Sequence, residues 1–440
     1  MPAVGVRPSG APSTECGPAR PLAAGLLLGA LVLAALQTWR GLEYWNYSEG
    51  VYALTARLLL EGRDVYGEVV VAQPPGVVLA GGALLALDDS LGWLRLGVGT
   101  LQLAGGGLAA TAAWRLTRSP TATAFTPALV LLTPWAVREH GSLTPELVAL
   151  PLLLGGALLA SRRATVPAGA VLAALAPFVK WPFVLPAAAI VLLSADRRRA
   201  IPVALATLAV QALIATAVFG PGVWEQSVIA QLATEGRPAL ASVAGSLGQA
   251  GWGLTGLLVA AGVALRRTQD PVLARVLAGG AVGALLTVLS VSKPGTALNV
   301  VIPVEALLVP LAVAGVAIAA GAAGVGSRAV AVVALLFVAA QTASLLATPQ
   351  TRFPFLYPTS ERGAWGREAT EPEVDAITAG VEDCPPGQPY AGAPFFAYLA
   401  DRGAPAGQPD GFLTRRSSRL EEVERRMAAD QPACPPVPDG

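Results

Sequence analysis

The feature that most constrains this chain is a series of long apolar segments, nearly free of charged side chains, that fills its first 348 residues. Of the 59 charged side chains, 23 lie in the last 92 residues and 36 in the 348 before them. Charged residues make up 13% of the chain, against about 25% in an ordinary soluble domain. Because a soluble fold could not bury so much apolar length, the sequence predicts a polytopic membrane protein.

Arginine marks the predicted cytoplasmic loops, because positively charged side chains resist translocation. The arginine clusters separate pairs of apolar segments, and each pair is predicted to form a helical hairpin that leaves the cytoplasm and returns. The clusters are Arg115 with Arg118, Arg162 with Arg163, Arg197 to Arg199, Arg266 with Arg267, and Arg328. The predicted hairpins are 122–137 with 145–160, 166–179 with 182–193, 201–219 with 247–265, and 272–291 with 298–319.

The first apolar segment, residues 21–39, is long enough to cross a hydrocarbon core of about 30 Å. No small-residue cleavage site follows it, so we predict a retained anchor with residues 1–20 in the cytoplasm. The segment 91–114 must then begin outside in order to end inside at Arg115. The short segment 75–87 is therefore predicted to be re-entrant or interfacial, with a tilted short span as the alternative.

These predictions combine into one architecture. Residues 21–348 form an all-α membrane domain of about 11 transmembrane helices, with a first outer loop at residues 40–73. Residues 349–440 form a small extracytoplasmic α/β tail, with helices predicted at 371–380 and 417–429 and a strand at 389–392. Cys384 and Cys434 both fall in this tail, where a disulfide and two free thiols are open alternatives.

The first outer loop is the richest in polar and aromatic residues. It contains Ser48-Glu49-Gly50-Val51-Tyr52, then a predicted amphipathic helix at 53–60 that ends in Gly62-x-x-x-Tyr66, and it closes on Gln73-Pro74-Pro75. Taken alone, Glu49 fits a solvated loop acid beside an interfacial belt of aromatic residues. The order of these elements resembles the GT-C superfamily, which includes the protein O-mannosyltransferases and the lipid A aminoarabinose transferases. The motifs lie between Trp45 and Pro75, and elsewhere the resemblance rests on topology.

The resemblance implies an inverting glycosyltransferase of a bacterial-type plasma membrane, with a polyprenyl-phosphate-sugar donor and a cell-envelope glycan, lipid or protein as acceptor. In the family, an acidic residue of the first outer loop is the catalytic base, and this role falls on Glu49. Many relatives have Asp-Glu here, whereas this chain has Ser48 in the Asp position. Glu49 would therefore be either the base or an acid that orients the acceptor. The tail is expected to cover this site from the outer face.

The leaving lipid phosphate needs fixed cations. Lys180 and Lys293 are the only two lysines of the chain, and both lie at predicted outer ends of hairpins. We predict that they bind the donor phosphate, with Arg57 and Arg138 as further candidates. The alternative for the lysines is snorkelling to the membrane interface.

The second outer loop supplies the remaining candidates, His140 and the acids Glu139 and Glu146. GT-C relatives often carry a further acid in this loop, and either Glu146 or Glu139 matches it. Glu146 also fits a negative charge at a helix start. His140 either takes part in the site or is an inert loop residue. No metal or other cofactor is expected, since the acids and the single histidine lack metal-ligand spacing, although the chemistry is compatible with a divalent cation.

The expected partners are the lipid bilayer, the lipid-linked donor and the acceptor. A near-neutral net charge of +1 without a basic patch argues against nucleic acid. A transporter or lipid flippase is the main rival class, and it predicts two related halves and polar groups near the bilayer midplane. A non-catalytic envelope-assembly protein is a third class, in which Glu49 would be dispensable.

Overall fold

The structure is a computed structural model. It describes residues 17–40, 47–233, 239–292, 298–321, 325–347, 379–385, 388–390 and 394–409, with Arg425 and Ala429. The described residues are mainly α-helical and contain isolated bridge residues, such as Val65 with Val69, but no β-strand. The predicted all-α class is therefore confirmed for the described part of the membrane domain.

The helices follow the predicted apolar segments closely. In chain order they are α1 Ala19–Arg40, α2 Tyr47–Leu60, α3 Gly76–Leu85, α4 Leu91–Thr117, α5 Pro120–Leu131, α6 Pro134–Arg138, α7 Pro145–Ala160, α8 Val166–Val179, α9 Val184–Leu192, α10 Arg197–Phe219, α11 Gly222–Trp224, α12 Ala230–Ala233, α13 Ala239–Arg267, α14 Pro271–Leu286, α15 Ile302–Gly321, α16 Val325–Ala347 and α17 Pro394–Leu399. A π-helical turn, Glu225–Ile229, joins α11 to α12, and 3₁₀ turns at Trp181–Phe183, Thr287–Ser292 and Leu298–Val301 adjoin α9, α14 and α15.

One helix start differs from the prediction and moves a candidate residue. The amphipathic helix predicted at 53–60 begins at Tyr47, so Glu49 lies in its first turn and not in a loop. A carboxylate in the first turn of a helix is favourable because the exposed N–H groups there carry partial positive charge. The helix therefore extends back through the Ser48-Glu49-Gly50 motif.

The helices run between two ends of the bundle, which their contacts define. At one end, here called the arginine end, α4 and α7 end and α14 begins. There the Arg115 guanidinium contacts Asp270 at 2.5 Å, the Leu158 carbonyl at 3.0 Å and the Ser161 hydroxyl at 2.8 Å. At the opposite end, here called the site end, α4, α7 and α15 begin and α8 ends.

Small residues let neighbouring helices approach closely, as is common in membrane bundles. A side chain at Gly156 of α7 would meet Ala173 of α8 at about 3 Å, and one at Gly169 of α8 would meet the backbone of Ala160. A side chain at Gly315 of α15 would likewise meet the backbone of α13. The glycines of the apolar segments thus contribute to packing.

Among the described residues, four helices are long and apolar enough to cross a membrane: Ala19–Trp39, Arg197–Phe219, Pro271–Ser290 and Asn299–Gly321. Six shorter apolar helices of 10–17 residues accompany them within the described residues. The chain is therefore a multi-pass membrane protein. The count of about 11 spans and the orientation of the termini stay predictions. With ten residues, α3 is about 15 Å long, which suits the prediction that it does not cross.

The described part of the tail packs on α2 through α17. The tail helices predicted at 371–380 and 417–429 lie mostly outside the described residues, as does part of the strand predicted at 389–392. Cys384 is disulfide-bonded, while Cys16 and Cys434 lie outside the described residues. The predicted α/β character of the tail therefore stays a prediction.

Candidate functional site

The centre of the site end is an ion pair between Glu49 of α2 and Arg95 of α4. The Arg95 Nε donates to Glu49 Oε1 at 3.1 Å, and its Nη2 donates to Oε2 at 2.8 Å, so both carboxylate oxygens are engaged. Glu49 is 0% exposed and Arg95 is 3% exposed. The interpretation of Glu49 as a solvated loop acid is therefore wrong. Glu49 is an interior charge, whose paired and hydrogen-bonded environment offsets the cost of burial.

The second outer loop packs against α4 and against Gln37 of α1, beside Arg95. The Gln37 side-chain amide of α1 donates to the Arg95 carbonyl at 3.4 Å, and the Gly141 N–H donates to the Gln102 side chain at 3.1 Å. Gly141 has a φ of +71° and lies so close to Gln37 that a side chain would meet its amide at 2.6 Å. The loop between α6 and α7 is thus joined to α4 at Gln102 and approaches Gln37, whose side chain bonds to Arg95.

A second buried ionic cluster lies nearby and links three helix ends. The Lys180 Nζ at the end of α8 contacts Glu146 Oε1 in the first turn of α7 at 2.5 Å. The Asn299 side-chain amide, just before α15, donates to the other Glu146 oxygen at 3.1 Å. Lys180 is 7% exposed and Glu146 is 0% exposed. Lys180 therefore points into the protein and does not snorkel.

A third buried acid, Glu305 in the first turn of α15, accepts a hydrogen bond from the Trp135 N–H of α6 at 3.2 Å. It is 0% exposed. Glu305 is not among the residues predicted for the site, although an acid inside the apolar segment 298–319 is itself a signal of function. Its contact joins α15 to the short helix that precedes the second outer loop.

The Gly62-x-x-x-Tyr66 motif ends α2 and turns the chain back. The Gly62 N–H bonds to the Leu59 carbonyl at 3.1 Å and the Arg63 N–H to the Leu58 carbonyl at 3.0 Å. This is the Schellman arrangement, and Gly62 has the φ of +78° that it needs. Burial raises the pKa of the Tyr66 hydroxyl well above its usual range, so Tyr66 stays a neutral donor to the Gln73 carbonyl at 2.7 Å.

Two glutamines from distant parts of the chain hold the segment 66–71. The Gln226 side chain, in the π-helical turn, accepts from the Val71 N–H at 2.7 Å and donates to the Tyr66 carbonyl. The Gln408 side chain, in the tail, accepts from the Val70 N–H at 2.9 Å and donates to the Glu68 carbonyl at 2.7 Å. These contacts satisfy buried backbone groups of a segment that belongs to no helix or strand and so position the loop that leads into α3.

The tail covers the ion pair from outside α2. The Phe395 ring centre lies 5.5 Å from the Arg95 Cζ atom, and a side chain at Gly50 would meet the Phe395 Cα at 2.6 Å. Gly50 thus permits α17 to lie directly on the first turn of α2. The expectation that the tail docks over the Glu49 region agrees with these contacts.

Arg57, predicted to bind phosphate, lies at the other end of α2. It pairs with Asp89 at 3.0 Å and with Asp401 of the tail at 3.1 Å, and its Cζ lies 4.2 Å from the centre of the Tyr398 ring. Burial raises the pKa of Tyr398 to about 12, although the Arg57 cation opposes the shift. In this arrangement Arg57 joins the tail to α2.

The remaining predicted site residues are less closely grouped. Arg138 lies 3.8 Å from Glu139 and 5.2 Å from the centre of the Trp135 ring. His140 is buried, and Ser48 is half-buried beside Glu49 on α2. Lys293 lies outside the described residues. Among the described residues, no three His, Cys, Asp or Glu side chains form a group suited to a metal ion.

Comparisons with solved structures identify the architecture. The crystal structure of ArnT from Cupriavidus metallidurans bound to undecaprenyl phosphate matches with a TM-score of 0.59 and 15% identity, over 87% of this chain and 84% of that chain. Its apo state matches with a TM-score of 0.57 and 16% identity, over 86% and 84%. The fold is that of ArnT. ArnT has the GT-C fold, so the resemblance drawn from the motif at residues 45–75 is confirmed as far as the fold.

At this level of identity the likeness to ArnT concerns the fold and leaves the roles of individual residues open. No protein-family model matches the chain, and no curated protein matches it by sequence. The chemistry of the site therefore has to be argued from its own geometry. That geometry places two buried ionic clusters, Glu49 with Arg95 and Glu146 with Lys180 and Asn299, at the same end of the bundle.

Proposed function

We propose that this protein is a membrane glycosyltransferase that moves a sugar from a polyprenyl-phosphate carrier to an extracytoplasmic acceptor. The observation that carries the proposal is the buried carboxylate of Glu49, held by Arg95 in the first turn of α2. The fold shared with ArnT supports the reaction class, and the ArnT structure with undecaprenyl phosphate supports the donor class. The acceptor is a cell-envelope glycan, lipid or protein.

The proposed reaction is a single displacement. An acceptor hydroxyl oxygen bonds to the anomeric carbon, the bond between that carbon and the phosphate oxygen breaks, and Glu49 takes the hydroxyl proton. The anomeric configuration inverts because there is one displacement. A positioned carboxylate base contributes roughly 10²–10⁴-fold to such a rate, and Ser48, adjacent on α2, is proposed to contact the acceptor.

The leaving polyprenyl phosphate gains negative charge as the bond breaks, and fixed cations stabilise that charge. Lys180 is the proposed cation with the best support among the described residues, because it is buried and held in place by Glu146. Lys293, Arg57 and Arg138 remain proposed phosphate ligands. Glu146 and His140 are proposed to line the acceptor side of the second outer loop.

The test is sugar transfer from a panel of radiolabelled polyprenyl-phosphate sugars into membranes that carry the wild type, Glu49→Gln or Glu61→Gln. Glu61 is an exposed acid just after α2 and serves as the matched control. We expect Glu49→Gln to lower the rate at least about 100-fold and Glu61→Gln to keep it. Equal transfer by wild type and Glu49→Gln would remove Glu49 from the mechanism. No transfer with any donor would favour a flippase or a non-catalytic assembly protein.

A further inference from the structure

The ion pair with Arg95 conflicts with the proposed role of Glu49 as a catalytic base. Both carboxylate oxygens already accept hydrogen bonds from one guanidinium, at 3.1 and 2.8 Å. The oxygens that would take an acceptor proton therefore face a cation of the protein. A base in this position has to be released from Arg95 before it can act.

Stability alone is a weak reason for such a pair. Glu49 and Arg95 are almost completely withdrawn from solvent, and desolvation of two charges consumes much of the energy that their attraction supplies. Apolar side chains of similar volume often serve stability equally well. A buried ion pair beside the proposed reaction centre is therefore better explained by an exchange of partners.

The chemistry of the proposed donor offers the second partner for Arg95. A planar guanidinium fork binds a phosphate with the same two-point geometry with which it binds a carboxylate. The donor phosphate is an anion before the reaction and gains charge as the glycosidic bond breaks. A guanidinium that moves from Glu49 to this phosphate would bind it more strongly in the transition state than in the ground state.

We infer that the Glu49–Arg95 ion pair is a latch that the donor phosphate opens: Arg95 exchanges Glu49 for the phosphate, and the freed Glu49 carboxylate then takes the acceptor proton. The inference rests on the proposed function and adds Arg95 to it as a donor-binding residue. It also gives an order of events, in which the donor binds before the base becomes available. In the absence of a donor, the pair keeps the base inactive.

The latch makes an unusual prediction, because Glu49 and the phosphate compete for one cation. Glu49→Gln keeps the shape of the side chain and removes its charge. The variant should bind a polyprenyl phosphate about tenfold more tightly than the wild type, since a hydrogen bond between charged groups is worth a factor of roughly that size. The same substitution should lower sugar transfer at least about 100-fold. A merely structural pair does not predict tighter binding of the ligand.

The experiment measures binding of a short-chain polyprenyl phosphate to the detergent-solubilised full chain, with inorganic phosphate and the uncharged polyprenol as parallel probes. The variants are Glu49→Gln, Arg95→Lys, the double variant Glu49→Gln with Arg95→Gln, and the control Glu61→Gln. Binding is measured on the monodisperse fraction of each variant, so that a loss of folded protein does not count as a loss of affinity.

We expect tighter binding for Glu49→Gln, weaker binding for Arg95→Lys because it loses the fork, and no gain in the double variant. If Glu49→Gln binds both inorganic phosphate and the polyprenyl phosphate more tightly, the phosphate group alone is recognised. If it binds only the polyprenyl phosphate more tightly, the lipid tail must bind before the phosphate reaches Arg95. Both outcomes support the latch. Unchanged affinity in both Glu49→Gln and Arg95→Lys would overturn it. If Glu49→Gln does not yield folded protein, Arg95→Lys decides the question. If the binding results contradict the latch but Glu49→Gln still abolishes transfer, the proposed function is retained and only the latch is rejected.

Discussion

The two ends of the helical bundle differ in how far their charged side chains are buried. At the arginine end, the clustered arginines other than Arg115 are exposed. Arg115 itself is 8% exposed, but it contacts Asp270, a carboxylate that keeps 22% of its side-chain surface accessible. At the site end, Glu49, Glu146 and Glu305 are each 0% exposed. Interior charge is costly and tends to mark function. This difference in burial is consistent with the proposed function, which places the chemistry at the site end.

The largest predicted effect is the loss of stability and transfer when the buried cation of the site end is removed, compared with removal of a cation at the arginine end. Lys180→Met removes the cation and leaves the buried Glu146 carboxylate hydrogen-bonded to the Asn299 amide, so we expect the free energy of unfolding to fall by about 3–5 kcal/mol. Transfer should fall at least about 100-fold. Arg115→Met at the arginine end leaves Asp270 partly exposed and bonded to the Leu273 N–H. We therefore expect this variant to lower the free energy of unfolding by about 1–3 kcal/mol and to leave the transfer rate nearly unchanged. Denaturant unfolding in detergent and initial transfer rates measure both quantities.

A double variant separates stability from chemistry in this comparison. Lys180→Met with Glu146→Leu removes both buried charges, and we expect it to regain most of the lost stability without regaining transfer. Recovery of transfer by this variant would show that the cluster at the site end is structural. An equal loss of activity in Arg115→Met would remove the functional difference between the two ends.

The difference between the ends also explains what could be predicted from the sequence. The bounds of α7 and α8 coincide with the predicted segments 145–160 and 166–179, because proline and polar residues bracket continuous apolar runs. Lys180 could be singled out because it is a polar residue at the end of such a run, and Glu49 because of the Ser48-Glu49-Gly50 motif in the first outer loop. These signals are local in the chain.

The partners of those residues could not be predicted in the same way. Arg95 lies 46 residues from Glu49, and Asn299 lies 153 residues from Glu146. Their contacts depend on which helix ends meet, and one sequence does not determine that. A signal for Arg95 did exist, since it is a lone cation one turn into the apolar segment 91–114, but it gives no indication of the acid that it would pair with.

An intermediate loss of stability is expected when the glutamines that hold the segment 66–71 at the site end are replaced. Gln226→Leu and Gln408→Leu each remove two hydrogen bonds to the segment 66–71. Because each leaves buried backbone groups unsatisfied, each should lower the free energy of unfolding by about 1–3 kcal/mol. Because Gln408 belongs to the tail, its variant should expose the tail to limited proteolysis sooner than Gln226→Leu does. Equal cleavage times for the two variants would show that Gln408 does not hold the tail in place.

The smallest predicted effect compares two left-handed helix ends, one at each end of the bundle. At the site end, α2 is followed by Gly62 with a φ of +78°, and at the arginine end, α4 is followed by the exposed Arg118 with a φ of +57°. A side chain in this conformation costs about 1 kcal/mol. Gly62→Ala should therefore lower the free energy of unfolding by about 1 kcal/mol, although nothing lies within 4 Å of the added methyl group.

Arg118→Gly should change stability in the opposite direction, by a few tenths of a kcal/mol to about 1 kcal/mol, because relief of the left-handed strain is partly offset by loss of the Trp114 contact at 5.8 Å. Gly62 leads into the loop that positions α3, so Gly62→Ala should also slow transfer about twofold to fivefold, whereas Arg118→Gly should leave transfer unchanged. Chemical denaturation and initial rates on the two variants measure these effects. A loss of transfer in Arg118→Gly as large as that in Gly62→Ala would mean that backbone strain at either end reaches the site, and the functional division between the ends would then fail.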